Sequence, residues 1–223
     1  MPHRSSVLDE LVDLLHLSPR EPDVFLGRSQ DLGWGQIFGG QVLGQALAAA
    51  EETAPAERLV HSLHAYFLRR GDPREPVEYR VDRIRDGGSF TTRGITASQK
   101  GRPIASMMAS FQRQEPGFDH AASPPAALPP PEALQNQQQL AKIWAGHLPE
   151  GLLRRATAER PIEIRPVEQE DPLRPSPAAP VRHAWFRASG ALPDDPRVHR
   201  HLLAYASDFH FLTAALLPHG VSW

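Results

Sequence analysis

The segment formed by residues 38–52 constrains the fold more than any other part of the sequence. Its residues are helix-compatible but unusually small, with glycine at positions 39, 40 and 44. Each glycine weakens a helix by up to ~1 kcal/mol relative to alanine, and a glycine inside a helix usually marks the close approach of another element. A helix with small side chains on all sides can fit inside a curved sheet. We therefore predict that the strands following this helix wrap around it.

Alternating apolar and polar residues predict those strands. After the helix, the period-two pattern covers residues 58–68, 77–84, 89–99 and 103–112, with turns at Lys100-Gly101 and Asp86-Gly87-Gly88. An amphipathic helix over residues 6–17 and a short strand over residues 23–31 precede it. One helix with about five mostly antiparallel strands is an α+β unit, which we assign to residues 1–115.

The remaining sequence begins the same plan again without completing it. Residues 116–180 contain more than half of the 23 prolines and are predicted to be a linker with a helix at 132–148 and a short strand at 161–167. From residue 181 the pattern predicts a strand over 182–189, and Asp194-Asp195-Pro196 starts a helix over 197–217. The first unit needs residues 38–112 for its helix and strands, whereas the second has only residues 197–223. We expect residues 181–223 to be the start of an incomplete second unit.

The composition excludes several classes of function. Lys and Arg total 24 against 26 Asp and Glu, giving a net charge of −2, which provides no general attraction for nucleic acid or an anionic membrane. The absence of cysteine excludes disulfides, thiolate zinc sites and a cysteine nucleophile, and it fits a reducing compartment. No uncharged apolar run is long enough to span a bilayer. We expect a cytoplasmic protein.

Three places in the sequence are candidates for chemistry. Asp208 is predicted to lie mid-helix among apolar residues, where a carboxylate is costly unless it is hydrogen-bonded, although an exposed helix edge would also explain it. Gly39 and Gly40 start a helix whose free N–H groups suit a carbonyl or an oxyanion, although helix–sheet packing is the simpler explanation. His61 and His64 are three apart on a predicted strand and are expected to face opposite sides, so one of them could approach a ligand. Purely structural histidines are commoner.

Several longer stretches resemble the acyl-CoA thioesterase II family. They read QIFGGQVLGQAL at residues 36–47, LVHSLHAYFL at 59–68, RDGGSF at 85–90, MASFQ at 108–112 and YASDF at 205–209. The resemblance covers essentially the entire chain. It implies a double hotdog, in which two units each wrap a sheet around a central helix, here one complete N-terminal unit and an incomplete second one.

The resemblance also implies an activity and a site. Members of the family hydrolyse fatty acyl-CoA to free fatty acid and CoA, without a metal or redox cofactor, by water that an Asp, a Thr or Ser, and a Gln position and activate. Asp208 matches the family's Asp, and Gly39, Gly40 and His61 are candidate substrate contacts. The family's Thr or Ser and Gln lie on strands beyond the segment that ends at Trp223, so we expect a truncated chain with weak activity.

Two other readings stay open. One is a non-catalytic hotdog module that binds acyl-CoA or forms oligomers, because hotdog units normally pair through their sheets as homo-oligomers. The other is an unstable fragment with unpaired strand edges.

Overall fold

A computed structural model of the chain describes residues 6–123, 125, 128–143, 145–168, 174–209 and 211–221. Its elements are, in chain order, α1 (Ser6–Leu15), β1 (Ser18–Glu21), β2 (Val24–Gly27), α2 (Gly39–Glu52), β3 (Arg58–Phe67), β4 (Val77–Asp86), β5 (Phe90–Gln99), β6 (Arg102–Arg113), α3 (Gln137–Ile143), α4 (Glu150–Thr157), β7 (Ile162–Pro166), β8 (Ala184–Ala188), α5 (Pro196–Ala206) and α6 (Phe211–Leu216). The chain divides into two compact units. Residues 10–119 and 192–208 form the sheet unit, and the other described residues form the second unit.

Helix α2 is the centre of the sheet unit. It begins after the extended residue Phe38, and every residue from Gly40 to Ala50 is buried. Because its alanines and glycines carry little side-chain volume, the sheet on one side and α5 on another both come close to its backbone. The predicted enclosed helix is confirmed.

The sheet is six-stranded and antiparallel, in the order β1-β2-β4-β5-β6-β3. Its inner face packs on α2 through alternating buried residues, which include Val77, Tyr79, Val81, Ile95, Ala97, Ala105, Met107, Ala109 and Phe111. Strands β3 to β6 match their predicted ranges to within two residues, because their alternation reflects one buried and one exposed face. The predicted strand over 23–31 is only β2, since residues 28–31 leave the sheet, and β1 was not predicted.

The strands predicted at 161–167 and 182–189 are present as β7 and β8, and they pair antiparallel in the second unit, a pairing that was not predicted. The single helix predicted over 132–148 is wrong: a 3₁₀ turn at Pro131–Ala133, α3 and a 3₁₀ turn at Ala145–His147 replace it, with Trp144 outside the described residues. The break has a local cause. Asn136 Oδ1 accepts from Gln139 N–H at 2.9 Å while Gln139 Oε1 accepts from Asn136 N–H at 2.8 Å, a reciprocal cap that starts a new helix.

Helix α5 begins as predicted but ends early. The Asp195 carboxylate accepts from Arg197 N–H at 2.9 Å, and Pro196 occupies the first helical position. The helix ends at Ala206, where the Ser207 hydroxyl donates to the Ala204 carbonyl at 2.8 Å and competes with the helix for it. The prediction that Asp208 lies mid-helix is therefore wrong, because Asp208 follows the last turn of α5.

The two units do not follow the predicted order of domain, linker and second domain. Residues 192–208, predicted to belong to the second hotdog unit, pack with residues 10–119. The predicted linker at 116–180 contains α3, α4 and β7. The boundaries at 115 and 180 remain predictions about domain organisation. None of the helices in the described part of the chain has the length and hydropathy needed to cross a membrane.

Candidate functional site

Two glycines on α2 allow α5 to pack against it at very short range. A Cβ added to Gly44 would lie 3.1 Å from the His201 carbonyl oxygen, and one added to Gly40 would overlap the Tyr205 carbonyl oxygen. Residue numbers rise along α2 as those of its partners fall along α5, so the helices are antiparallel. This packing brings the end of α5 to the beginning of α2.

Asp208 lies at the N-terminus of α2 as a result. Its Oδ2 accepts a hydrogen bond from Gly40 N–H at 2.9 Å. The side chain is half-buried, and this burial raises the pKa of the carboxyl above its ordinary value, although the hydrogen bond from Gly40 opposes the shift. A carboxylate held in this way is a better proton acceptor than an exposed aspartate.

Gly39 places a second backbone donor beside that carboxylate. Its α-carbon is so close to the neighbouring side chains that an added Cβ would lie 2.6 Å from Asp208 Oδ2 and 2.8 Å from Phe67 Cζ. Gly40 N–H is used by Asp208, and Gln41 N–H donates to the Phe38 carbonyl at 3.0 Å. Among the described residues, none accepts from Gly39 N–H. The site thus combines a proton acceptor, a helix-terminal N–H donor and an apolar wall.

An aromatic cluster extends the site away from Asp208. The Phe38 ring meets Tyr205 edge-on at a centroid distance of 5.1 Å, and Trp34 meets Phe38 at 5.8 Å. Trp34 lies in a loop that Asp31 organises, since Asp31 Oδ1 accepts from three successive N–H groups at positions 33–35. These hydrogen bonds, that of Gly33 foremost, lower the pKa of Asp31. The loop is therefore a preorganised border of the site.

His61 is not part of this group. Its Nε2 lies 2.9 Å from Ser110 Oγ on the outer face of the sheet, opposite the face that packs on α2. A β-bulge between Val60 and Ser62 adds a residue to β3, so His61 and His64 both lie on the outer face. The prediction that they face opposite sides is wrong, and a substrate contact by His61 remains only a prediction.

Two buried glutamines of α2 escaped the sequence analysis. Gln45 Nε2 donates to the Leu14 and Arg28 carbonyls at 2.6 and 2.9 Å, and Gln45 Oε1 accepts from the Tyr79 hydroxyl at 2.7 Å. Gln41 Nε2 also donates to Arg28 O, at 3.1 Å. Both side chains satisfy backbone groups where β2 ends, so their role is structural. The sequence did contain a signal for this buried pair, because two glutamines four residues apart in an otherwise apolar helix lie on the same face.

No metal centre is built from the described side chains. In the described ranges, no group of three or more His, Asp or Glu residues is arranged to hold a metal ion. The two histidines of α5 have separate partners: His199 contacts the Pro193 carbonyl and His201 contacts Glu51.

Comparison with protein families and characterised sequences identifies relatives. A family model described as "Acyl-CoA thioesterase N-terminal domain" matches residues 29–112, and one described as "Acyl-CoA thioesterase" matches residues 153–223. The chain is 40% identical to acyl-CoA thioesterase 2 of Haemophilus influenzae, over 96% of this chain and 75% of that protein. It is also 40% identical to human acyl-coenzyme A thioesterase 8, over 92% of this chain and 67% of that protein.

Solved structures agree with the observed architecture. An acyl-CoA thioesterase II from Mycobacterium marinum has a TM-score of 0.71 at 37% identity, over 94% of this chain and 72% of that one. A hot dog fold protein from Alicyclobacillus acidocaldarius has a TM-score of 0.68 over 95% of this chain and 73% of that one, at 17% identity, a likeness of fold alone. The helix wrapped by an antiparallel sheet is accordingly a hotdog fold, as predicted.

Proposed function

The chain belongs to the acyl-CoA thioesterase family, and we propose that it hydrolyses fatty acyl-CoA to free fatty acid and CoA with Asp208 as the general base. The observation that carries this proposal is the position of Asp208. A carboxylate with a raised pKa accepts a hydrogen bond from Gly40 N–H, one residue from Gly39, whose N–H has no acceptor among the residues that the structure describes. The enzyme class follows from the family, whereas the roles of the residues are the proposed part.

The proposed reaction uses one proton acceptor and one backbone donor. Asp208 accepts a proton from a water molecule, and the water oxygen attacks the thioester carbonyl carbon. The carbonyl electrons move to oxygen, and the N–H of Gly39 at the positive end of α2 stabilises the oxyanion. When the carbonyl re-forms, the C–S bond breaks, and the CoA sulfur leaves with the proton that Asp208 accepted. No cofactor is required for this sequence.

The surroundings of Asp208 support the assignment. Partial burial makes a carboxylate more basic, and general-base catalysis is most efficient when the pKa of the base is near the working pH. The hydrogen bond from Gly40 leaves the other carboxylate oxygen for water. Phe67, a residue that is 52% exposed, offers an apolar surface for the acyl group next to the reacting carbon.

Three further features complete the proposal. A homo-oligomer formed by pairing of sheets is supported by the long strand β3 at the edge of the six-stranded sheet. A cytoplasmic location fits the cysteine-free sequence. The division into a complete and a second hotdog unit is supported by the family resemblance along the whole chain.

The test is the release of CoA from palmitoyl-CoA, followed with a thiol reagent. Because the protein has no cysteine, the reagent detects only the product. We expect Asp208→Asn to lower kcat by a factor of about 10² to 10⁴, the usual contribution of a general base. Asp82→Asn is the matched control, since Asp82 is exposed on strand β4, and it should retain the parent rate.

Two results would contradict the proposal. If Asp208→Asn hydrolyses palmitoyl-CoA as fast as the parent, Asp208 is not the base. If calorimetry shows saturable binding of palmitoyl-CoA while no CoA is released, the chain is the non-catalytic binding module. The weak activity expected from the sequence remains a prediction, which the absolute rate of the parent tests.

A further inference from the structure

Glu51 joins α2 to α5 at the opposite end of their contact from Asp208. It is the second-last residue of α2, and its side chain is only 5% exposed. Its Oε1 lies 2.8 Å from Arg200 Nε, and its Oε2 lies 2.8 Å from His201 Nε2. We call these three side chains the Glu51 clamp. Each oxygen of the buried carboxylate has its own partner, as a buried charge requires.

Two glycines form part of the remaining contact between the helices. Near Asp208, Gly40 and Gly44 of α2 approach the backbone of α5 and have no side chains to interlock with it. Such a surface sets the distance between two helices but resists their rotation weakly. The clamp provides the resistance to rotation that the glycines lack, because one carboxylate binds two side chains of α5.

The geometry of a helix shows why holding two neighbours matters. Successive residues point about 100° apart, so a group bound to both Arg200 and His201 fixes the rotation of α5 about its axis. Side-chain groups lie roughly 5–6 Å from a helix axis, and a rotation of about 10° therefore moves them by about 1 Å. A shift of that size would break the 2.9 Å hydrogen bond between Gly40 N–H and Asp208.

We propose that the Glu51 clamp is a positioning device for Asp208: by fixing the rotation of α5, it keeps the Asp208 carboxylate on the N-terminus of α2. Glu51 touches neither the reacting atoms nor Asp208, and it acts only through α5. The catalytic consequence rests on the proposed function of Asp208. The structural consequence, the contact between Gly40 N–H and Asp208, can be measured without any turnover.

The experiment compares Glu51→Gln with Glu52→Gln in the full chain. Glu52 is the matched control, since it is the next residue of α2 and pairs with Arg197 of α5 at 3.6 Å, but its side chain is 57% exposed. The direct readout is the assigned Gly40 amide resonance in protein labelled with ¹⁵N-glycine, because an N–H bonded to a carboxylate resonates downfield. Steady-state hydrolysis of palmitoyl-CoA is the second readout.

We expect Glu51→Gln to move the Gly40 proton resonance upfield and to lower kcat roughly tenfold, with KM changed less than about twofold. Glu52→Gln should leave both readouts at the parent values. His201→Gln, which retains the contact of Arg200 with Glu51, should give an intermediate shift and provides the same test if Glu51→Gln folds poorly. A core variant such as Ile95→Val, chosen so that its Tm equals that of Glu51→Gln, separates positioning from general destabilisation. It should not move the Gly40 resonance.

The proposal is overturned if Glu51→Gln and His201→Gln keep the parent Gly40 resonance, since the clamp would then contribute only stability. It is also overturned if the Ile95→Val control moves that resonance equally. If the parent releases no CoA, the proposed function fails, and the Gly40 resonance alone still decides whether the clamp positions Asp208.

Discussion

Replacing Gly39 by alanine is expected to damage catalysis while leaving the fold intact. The added Cβ would lie 2.6 Å from Asp208 Oδ2, whereas ordinary van der Waals contact begins at 3.4 Å. The carboxylate must therefore move by about 0.8 Å (3.4 − 2.6), unless the helix shifts instead. The Phe67 ring, 2.8 Å from the added atom, ends a half-exposed side chain and can swing away at little cost.

The expected loss follows from this displacement. Misplacing a reacting group by about 1 Å costs up to roughly 10² in rate, so we expect kcat to fall by a factor of about 10 to 10². The free energy of unfolding should change little, because alanine favours a helix over glycine by up to ~1 kcal/mol and offsets the local crowding. A loss of activity without a loss of stability is the expected signature.

The assay measures CoA release by Gly39→Ala beside the unfolding midpoint in urea. Gly88→Ala is the control, because Gly88 has no atom within 4 Å of its added Cβ. The Gly40 amide resonance reports the same displacement without turnover. If Gly39→Ala keeps both the parent kcat and the parent Gly40 resonance, the carboxylate does not occupy the position described, and the assignment of Asp208 as base fails with it.

Three other substitutions test the packing and the charge of the site. Gly40→Ala places its Cβ on the Tyr205 carbonyl, which cannot swing away, so urea unfolding should show a loss of about 1–3 kcal/mol. Asp208→Asn should raise Tm at neutral pH. The reason is that burial raises the pKa of the parent's Asp208 carboxyl in the folded state. The folded protein therefore binds the Asp208 proton more tightly than the unfolded chain does, and the parent loses stability as pH rises through that pKa. The same raised pKa places the acidic limb of the parent's kcat/KM profile above the ordinary value of 3.8, and a limb at or below that value would contradict the burial argument. Gln45→Leu leaves the Tyr79 hydroxyl without its acceptor and should cost about 1–3 kcal/mol per unpaired group, so unchanged urea unfolding would refute the buried network.

The sequence predicted the central helix and its strands because both are encoded locally. The small residues of α2 and the period-two pattern of β3 to β6 can be recognised in the sequence, because each depends only on which face of its own helix or strand a side chain occupies. The ends of the helices were harder to predict. The early end of α5 depends on Ser207 bonding to a carbonyl of its own last turn, and the restart at α3 depends on the reciprocal cap between Asn136 and Gln139.

Three residues of the candidate site were named from the sequence, but their arrangement was not predicted, and their roles remain predictions. Asp208, Gly39 and Gly40 were all named, yet nothing local shows that Gly40 N–H binds the carboxylate rather than a substrate. His61 was misplaced because a bulge, which has no clear local signal, shifts the side-chain alternation of β3. Glu51 was overlooked because its partners come from α5, which is distant in the sequence.

The hydrogen bond between Gly40 and Asp208 joins residues 168 positions apart, and this has a consequence for how the protein is made. At 5–20 residues per second, roughly 10–30 s separate the synthesis of α2 from that of its partner helix. During that interval the sheet can fold, but the glycine-lined side of α2 has no cover, and glycine makes the helix weak by itself. Until α5 emerges, the nascent chain therefore exposes this side of α2 to solvent. Its candidate active centre is assembled only when the last turn of α5 leaves the ribosome.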